Sequence, residues 1–292
     1  MLEGSIVALV TPMKSDGAVD WTALEKLLEW HLEKGTHGIV PMGTTGESAT
    51  LDTDEHLKVI ERTIEVVAGR IPVIAGTGSN STAEAIHQTQ EAERAGADAC
   101  LLVTPYYNKP TQDGLYAHYR EIALATSVPI VLYNVPPRTA CDMSATTVAR
   151  LSELDGIVGI KEACGNAERV KEIRDLVDEG FVILSGEDAQ TRQMLDYGAI
   201  GAISVTANIL PKEMSEFCQS FLDGDLARCE ELDSRLQPVH DVLFIEVSPS
   251  PTKWVLNQMG LIEEGIRLPL LPLSEENQIP VSNCVSKLGL IN

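Results

Sequence analysis

The stretch Ile157-Val-Gly-Ile-Lys-Glu-Ala-Cys-Gly165 runs four apolar or small residues straight into a single lysine. An apolar run of this length that is bounded by glycine is typical of a strand buried on both faces. We therefore expect Lys161 at the carboxyl end of such a strand, partly inside an apolar interior, where a lysine tends to lose its proton and become a nucleophile. The alternative is a lysine that leaves the strand end to pair with a carboxylate such as Glu162, and the stretch alone does not decide between them.

The same pattern recurs along the chain, because eight apolar runs are each followed by an amphipathic, helix-like segment. The predicted strands are 5–11, 38–42, 73–75, 99–103, 130–133, 157–160, 182–184 and 202–205. Their spacing averages roughly 28 residues, which is typical of βαβ units in a parallel sheet. Eight units predict an α/β fold of the closed (β/α)₈, or TIM, barrel type. A doubly wound open sheet is the alternative, although the first strand lacks the G-x-G-x-x-G turn of its nucleotide-binding version.

The chain beyond the eighth unit has a different character, with three predicted helices separated by proline-rich breaks. We expect these helices at 226–242, 252–259 and 275–288. The sequence therefore predicts a catalytic barrel over residues 1–224 and a helical appendage, residues 225–292, packed on it.

Composition excludes several classes of function. The formal net charge of −21 argues against nucleic acid or an anionic membrane as a partner, because no basic surface is available to bind them. None of the six cysteines forms a Cys-x-x-Cys pair and no two of the six histidines have metal-ligand spacing, so we expect no metal and no cofactor. The amino terminus lacks a signal-peptide pattern and no apolar run approaches the ~20 residues of a membrane span, so we expect a cytoplasmic protein.

Polar and glycine-rich segments follow the predicted strands, at the end where barrel active sites lie. After strands 2 to 8 these segments are GTTGES (43–48), GTGSN (76–80), TPYYN (104–108), YNVPPRT (133–139), KEACG (161–165), SGED (185–188) and SVTAN (204–208). Turn chemistry explains the Gly, Asn and Ser residues. It does not explain Lys161, Arg138 and three of the six tyrosines at one mouth.

The segment 43–48 has the composition of an anion-binding nest, because its glycines let N–H groups converge and Thr44 and Thr45 add hydroxyl donors. It lacks the lysine of a Walker loop and suits a carboxylate better than a nucleotide. The alternative is a capping turn before the helix that begins near Asp52. Lys161 beside a carboxylate site indicates a Schiff base with a 2-oxo acid.

Two further side chains fit this chemistry. The Tyr133 phenol could shuttle protons while the Schiff base forms, and the Arg138 guanidinium could bind a second carboxylate through two parallel hydrogen bonds. The alternatives are an aromatic residue of the barrel rim for Tyr133 and a surface ion pair for Arg138.

The motifs at these positions resemble the dihydrodipicolinate synthase family, which belongs to the class I aldolase superfamily together with N-acetylneuraminate lyase. The resemblance covers about residues 4–275 and fades beyond residue 277. It is carried by GSIVALVTPM, GTTGESATL, PVIAGTGSN, VTPYYNKPTQDGLY, LYNVPPRT, GIKEACGN, LSGEDA and GAISVTAN.

The resemblance implies a 4-hydroxy-tetrahydrodipicolinate synthase activity. Pyruvate, held as a Schiff base on Lys161, would condense with L-aspartate-4-semialdehyde in the diaminopimelate route to lysine. It implies a proton relay of Tyr133, Thr44 and Tyr107, and a homotetramer, a dimer of dimers, in which Tyr107 reaches in from a neighbouring subunit. The substrate-binding residues that it implies are Thr45, Arg138, Ile203 and Gly186.

The resemblance also implies an allosteric site at the subunit interface, where some family members bind L-lysine as a feedback inhibitor. The matching positions are Ser48, Ala49, His56, Asn80, Glu84 and Tyr106. Thr53 stands where lysine-sensitive members often carry histidine, which predicts weak inhibition.

Two other functions stay open on these residues. One is a different Schiff-base lyase, acting on N-acetylneuraminate or a 2-keto-3-deoxy sugar acid, although Arg138 suits a small acidic aldehyde better than a polyol. The other is a non-catalytic protein that binds a 2-oxo acid or an amino acid.

Overall fold

A computed structural model describes residues 2–291 and shows eight parallel strands in one sheet. The strands are β1 (Gly4–Ala8), β2 (Gly38–Val40), β3 (Ile74–Gly76), β4 (Ala99–Val103), β5 (Ile130–Asn134), β6 (Ile157–Glu162), β7 (Val182–Ser185) and β8 (Gly201–Ser204). Their order in the sheet is β2-β1-β8-β7-β6-β5-β4-β3. A parallel bridge between Ile39 and Val73 joins the two outermost strands and closes the sheet. The predicted (β/α)₈ barrel is confirmed, and the open-sheet alternative is wrong.

Helices follow every strand and cover the outside of the barrel. In chain order they are α1 (Trp21–Glu33), α2 (Thr53–Val67), α3 (Thr82–Ala95), α4 (Gln112–Ala125), α5 (Pro136–Thr139), α6 (Ala145–Ser152), α7 (Glu168–Arg174), α8 (Thr191–Asp196), α9 (Pro211–Leu222), α10 (Leu226–Val242), α11 (Ser250–Gln258) and α12 (Glu275–Ser286). The three helices predicted at 226–242, 252–259 and 275–288 agree with α10, α11 and α12 to within two residues. None of the helices within residues 2–291 has the length and apolarity needed to cross a bilayer.

Helix α5 was not predicted from the sequence. It has only four residues, which is too short for a helical hydrophobic pattern, and two prolines at its start fix the helical φ without needing N–H acceptors. Ala140, with φ 55°, ends it in the left-handed conformation. The first strand was also predicted too long, because it ends at Ala8 and residues 9–11 continue outside the sheet.

Alternation along the strands divides the interior into two cores. Side chains that point inward fill the barrel, and those that point outward pack against the helices. The inner cluster comprises Ile6, Ala8, Val40, Ile74, Ala99, Leu101, Val131, Tyr133, Val135, Ala163, Leu184 and Ile203. On β6, Ile160 packs in the outer core, so the alternation directs Glu162 outward and Lys161 inward.

Candidate active site

Lys161 lies at the carboxyl end of β6 and is 6% exposed. It pairs in register with Tyr133 of β5 and Leu184 of β7. Its Nζ atom lies 4.3 Å from the centroid of the Tyr133 ring. Within residues 2–291, Lys161 has no carboxylate partner within 4.0 Å, and Glu162 points to the other side of the strand. The ion-pair alternative for Lys161 is therefore wrong for this fold.

Gly186, directly after β7, leaves space for the lysine. A Cβ atom at this position would lie 2.8 Å from Lys161 Cε and 2.8 Å from the Ala163 Cβ. Cβ atoms in proteins essentially never show contacts this short. The Gly186 N–H donates to the Glu162 carbonyl at 2.8 Å, which holds the backbone at this distance. Glycine is therefore required here so that the β7 loop can pass beside the lysine stem.

The loop 43–48 after β2 is a series of tight turns. The amides of Gly46 and Ser48 donate to the Gly43 carbonyl, and the amide of Glu47 donates to the Thr44 carbonyl. In the described part of the chain, the amides of Thr44 and Thr45 have no such acceptor. Together with their two hydroxyls, these amides leave four donors for an anionic group.

The capping alternative for this loop does not apply, because α2 is capped from outside it. The Asp52 side chain accepts a hydrogen bond from the Glu55 amide at 2.8 Å, which satisfies the helix amino terminus. The loop 43–48 is therefore not needed to cap α2. Its assignment as a carboxylate site stays a prediction.

A cavity of about 570 Å³ opens at the carboxyl ends of the strands and extends between α2 and α3. Its lining residues are Thr44, Glu47, Ser48, Ala49, Thr50, Leu51, Thr53, His56, Gly78, Ser79, Glu84, Gln88, Val103, Tyr106, Val135, Arg138, Thr139, Val247, Ser248, Pro269 and Leu270. Thr44 and Arg138 of the predicted active site therefore share one cavity with most of the predicted allosteric residues. Lys161, Tyr133, Thr45, Ile203 and Gly186 do not line it.

The predicted allosteric residues gather at the α2–α3 end of the cavity. His56 is buried, and its Nε2 lies 2.7 Å from the Gly76 carbonyl, so that nitrogen carries the proton and donates. Burial lowers the pKa of His56, while its hydrogen bond to Gly76 and the Glu84 charge oppose the shift. Glu84 accepts from the Ser79 hydroxyl at 2.6 Å. Asn80 does not line the cavity, but its amide donates to the Tyr106 carbonyl at 3.1 Å.

The two adjacent tyrosines after β4 point away from the inner barrel. Tyr107 is 89% exposed and has a φ of 74°, which is rare for a bulky residue. Tyr106 is 41% exposed and lines the cavity. The single chain does not bring Tyr107 together with Lys161 and Tyr133 as a relay, and its role in a neighbouring subunit stays a prediction.

Arg138 lies on α5 at the mouth, and it is exposed. Within residues 2–291 it forms no ion pair, so the surface ion-pair alternative is wrong for this chain. Glu187 lies near enough to Arg138 and Lys161 for their charges to act on its pKa. Burial raises the pKa of Glu187, the Asp188 charge adds to this, and the charges of Lys161 and Arg138 oppose it. The sequence signal for Glu187 was the SGED segment after β7, but nothing in it distinguished this carboxylate from a turn residue.

A polar network that was not predicted lies behind the lysine. Asn134 donates to both Glu162 carboxylate oxygens at 3.1 and 3.2 Å and to Asp142 at 2.9 Å. Burial raises the pKa of Glu162 to about 7, against the hydrogen bonds from Asn134 and Cys164. Burial raises the pKa of the Cys164 thiol to about 12, and its Sγ donates to the Asn166 carbonyl at 3.6 Å within the turn after β6. Among the described residues no cluster of His, Cys, Asp and Glu has the geometry of a metal site.

Comparisons with known proteins agree on one family. The model of the dihydrodipicolinate synthetase family matches residues 1–288. The 4-hydroxy-tetrahydrodipicolinate synthases of Ectopseudomonas mendocina and Alcanivorax borkumensis are 53% and 54% identical over 291 residues, with 99–100% of each chain covered. The aligned region therefore extends past residue 277.

Solved structures give the same answer. A chloride-inhibited dihydrodipicolinate synthase from Acinetobacter baumannii, complexed with pyruvate, is 52% identical with a TM-score of 0.98 and full coverage of both chains. The enzyme from Cyanidioschyzon merolae with lysine bound is 37% identical with a TM-score of 0.95 over 99% of each chain. The present chain belongs to the dihydrodipicolinate synthetase family.

Proposed function

We propose that this protein is a Schiff-base-forming lyase with 4-hydroxy-tetrahydrodipicolinate synthase activity, which condenses pyruvate with L-aspartate-4-semialdehyde in the diaminopimelate route to lysine. The observation that carries the proposal is Lys161, a lysine 6% exposed at the carboxyl end of a barrel strand without a carboxylate partner among the described residues. The relatives that bear this name cover the full chain at about 53% identity. They favour this activity over the sugar-acid lyases and over a binding protein.

In the proposed reaction the neutral Lys161 amine attacks the keto carbon of pyruvate, and the resulting carbinolamine loses water to give an iminium. Loss of a proton from the pyruvate methyl gives an enamine, whose carbon attacks the aldehyde of the second substrate. Tyr133, Thr44 and Tyr107 move the protons. Thr45 binds the pyruvate carboxylate through its amide and hydroxyl, and Ile203 and Gly186 line the pyruvate site.

Arg138 binds the carboxylate of the semialdehyde. Its support is an exposed guanidinium at the cavity wall with no ion pair within residues 2–291. A planar guanidinium can donate to both carboxylate oxygens at once, which fixes the orientation of the aldehyde relative to the enamine.

We place the working enzyme in the cytoplasm as a homotetramer, a dimer of dimers, with Tyr107 entering the site of a neighbouring subunit and Tyr106 packing across the tight interface. The support is the exposure of Tyr107 and Tyr106 at the same end of the molecule as the cavity. The catalytic barrel spans residues 1–224, and residues 225–292 form the appended helical region.

We also propose that the α2–α3 end of the cavity binds L-lysine as a weak feedback inhibitor. The family relative from Cyanidioschyzon merolae was solved with lysine bound. Here Ser48, Ala49, His56, Glu84 and Tyr106 surround the same cavity, and Asn80 supports it through Tyr106.

Borohydride trapping tests the proposed function directly. Borohydride with pyruvate should add the reduced pyruvate adduct to the peptide that contains Lys161, and a coupled assay with both substrates should show turnover. The Lys161→Ala variant should give no adduct, whereas Lys171→Ala, which removes an exposed lysine of α7, should behave as wild type. An unmodified Lys161 peptide after trapping of the wild type would refute the Schiff-base mechanism.

A further inference from the structure

The loop 43–48 is held from an unexpected part of the chain. Glu47 lies inside this loop, is 2% exposed and adopts a φ of 60°. One of its carboxylate oxygens pairs with the Nζ atom of Lys253, a residue of α11 that is 5% exposed. The pair therefore joins the turn that carries Thr44 and Thr45 to the appended helices, across 206 residues of sequence.

The second oxygen of Glu47 is also used. It accepts a hydrogen bond from the Arg267 amide at 3.1 Å, in the segment between α11 and α12. The Arg267 guanidinium reaches the chain just after this loop, because its Nη1 donates to the Thr50 carbonyl at 3.0 Å. It also binds both oxygens of Glu55 on α2 at 2.7 Å. Two residues of the appended region thus fix the loop from both sides.

The backbone of that segment packs against the barrel loop after β1. A Cβ atom on Gly265 would lie 2.3 Å from the Met13 carbonyl oxygen and 2.4 Å from that of Lys14, so only glycine permits this approach. The Arg267 Nε donates to the Gly17 carbonyl at 2.8 Å in the same region. The segment is therefore anchored independently of Glu47, and it can serve as a fixed support for the catalytic loop.

Stability alone gives no reason for a buried ion pair at this position, because an apolar pair of similar volume is often as stable or more stable. An ion pair differs from an apolar contact in that it fixes direction. Both Glu47 oxygens and a left-handed backbone define one orientation of the turn, in which the Thr44 and Thr45 amides have no backbone acceptor among the described residues. Such fixed donors are what a carboxylate site requires.

We propose that Glu47, Lys253 and Arg267 are positioning residues, which hold the Thr44–Thr45 donors in the geometry that binds the pyruvate carboxylate. The inference rests on the proposed function, since that function assigns Thr45 to this carboxylate. In this proposal the appended helical region contributes to the active site, because Lys253 and Arg267 hold Glu47 and thereby the loop that carries Thr44 and Thr45.

Lys253 has a role different from that of Lys161, although both lysines are buried. Burial lowers the pKa of Lys253, while the Glu47 charge opposes the shift. Its amine is held directly by a carboxylate, whereas the Lys161 amine lies over the Tyr133 ring and, within residues 2–291, has no carboxylate within 4.0 Å. An amine bound in an ion pair keeps its proton and does not attack a carbonyl.

The test compares three variants with one control. Glu47→Gln and Lys253→Met remove one charge of the pair, and the double variant removes both. The control is Arg174→Met, which removes an arginine that donates to the Asp178 and Phe181 carbonyls at the opposite end of the barrel. For each protein we would measure three quantities: the Tm, the pyruvate concentration that gives half-maximal borohydride trapping, and the KM of each substrate.

We expect Glu47→Gln and Lys253→Met to raise the half-saturating pyruvate concentration about tenfold, because a small misplacement of a binding group has large effects. The KM of the semialdehyde should stay within about twofold of wild type. The double variant should recover Tm relative to Lys253→Met, since no unpaired charge stays buried, but should keep the raised half-saturation. The control should lower Tm without changing the half-saturating pyruvate concentration.

Half-saturation within about twofold of wild type in folded Glu47→Gln would overturn the proposal. So would recovery of half-saturation together with Tm in the double variant, because the pair would then act through stability alone. If Lys253→Met does not fold, Glu47→Gln and Arg267→Lys decide, since the latter keeps its charge and loses the bidentate contact to Glu55. A wild type that traps no pyruvate would instead refute the proposed function.

Discussion

The Nζ atom of Lys161 lies 4.3 Å from the centroid of the Tyr133 ring, on two strands that pair these residues in register. The amine thus has an aromatic face as its neighbour and, among the described residues, no carboxylate within 4.0 Å. An aromatic face attracts a cation by roughly 0.5–2 kcal/mol. In the proposed mechanism the iminium of the Schiff base is that cation, so the ring would stabilise the intermediate as well as bring its hydroxyl to the site.

Tyr133→Phe separates these two contributions, because it keeps the ring and removes the hydroxyl. We expect kcat to fall by about 10²- to 10⁴-fold, the usual contribution of a general acid–base, while borohydride still traps the adduct at long times. Tyr119→Phe is the matched control, since Tyr119 is fully buried and its hydroxyl only donates to the Leu102 carbonyl. A kcat of Tyr133→Phe within about threefold of wild type would exclude Tyr133 from the proton transfers.

Gly186→Ala tests the space that the lysine needs. The added Cβ would meet Lys161 Cε at 2.8 Å, so either the lysine or the β7 loop must move. We expect the variant to fold and its trapping rate to fall at least tenfold, because displacing a reacting group lowers the rate by about this factor or more. Gly180→Ala is the control, because its Cβ would have no atom within 4 Å and its φ is not left-handed. Equal trapping rates in the two variants would show that the Lys161 side chain does not need a glycine at position 186.

The barrel and the buried position of Lys161 could be predicted because both follow from local sequence patterns. Eight apolar runs predicted the strands, and Lys161 follows directly on one of them; its role as the nucleophile stays a prediction. Helix α5 could not be predicted, because four residues carry no periodicity. The Glu47–Lys253 pair could not be predicted either, since its partners are 206 residues apart and each looks like a surface charge in its own segment.

Arg138→Ala should affect the second substrate alone. We expect the KM of the semialdehyde to rise about 10- to 100-fold, corresponding to the ~1.5–3 kcal/mol of a charge-assisted hydrogen bond, with the pyruvate KM within about twofold. Arg150→Ala is a suitable control, because Arg150 stacks on Tyr116 and pairs with Asp113 away from the cavity. An unchanged semialdehyde KM in Arg138→Ala would contradict the assignment.

Glu162 makes stability depend on pH. Its pKa is raised from 4.5 to about 7 in the folded state, so the folded protein holds a proton that the unfolded chain has lost. The stabilisation from the neutral carboxyl is present below pH 4.5 and is lost as the pH rises to about 7, by an amount on the order of 3 kcal/mol.

Glu162→Gln imitates the neutral carboxyl and should remove this loss. Urea unfolding between pH 5 and 7.5 should show wild type losing stability relative to the variant, while the contributions of neighbouring Asp142 and Arg169 cancel in the difference. Parallel curves for the two proteins would show that Glu162 is already ionised throughout this range.

Thr53 governs the last prediction, the response to L-lysine. It is the first residue of α2 and lines the cavity with His56 and Glu84. We expect L-lysine to inhibit the wild type only at high concentration, and Thr53→His to lower the half-inhibitory concentration about tenfold, the ~1.4 kcal/mol of one added hydrogen bond. Asp54→His places the same side chain one residue further on, outside the cavity lining, and should not change inhibition. Submillimolar inhibition of the wild type would show that a threonine suffices at this position, and the weak-inhibitor assignment would then fail.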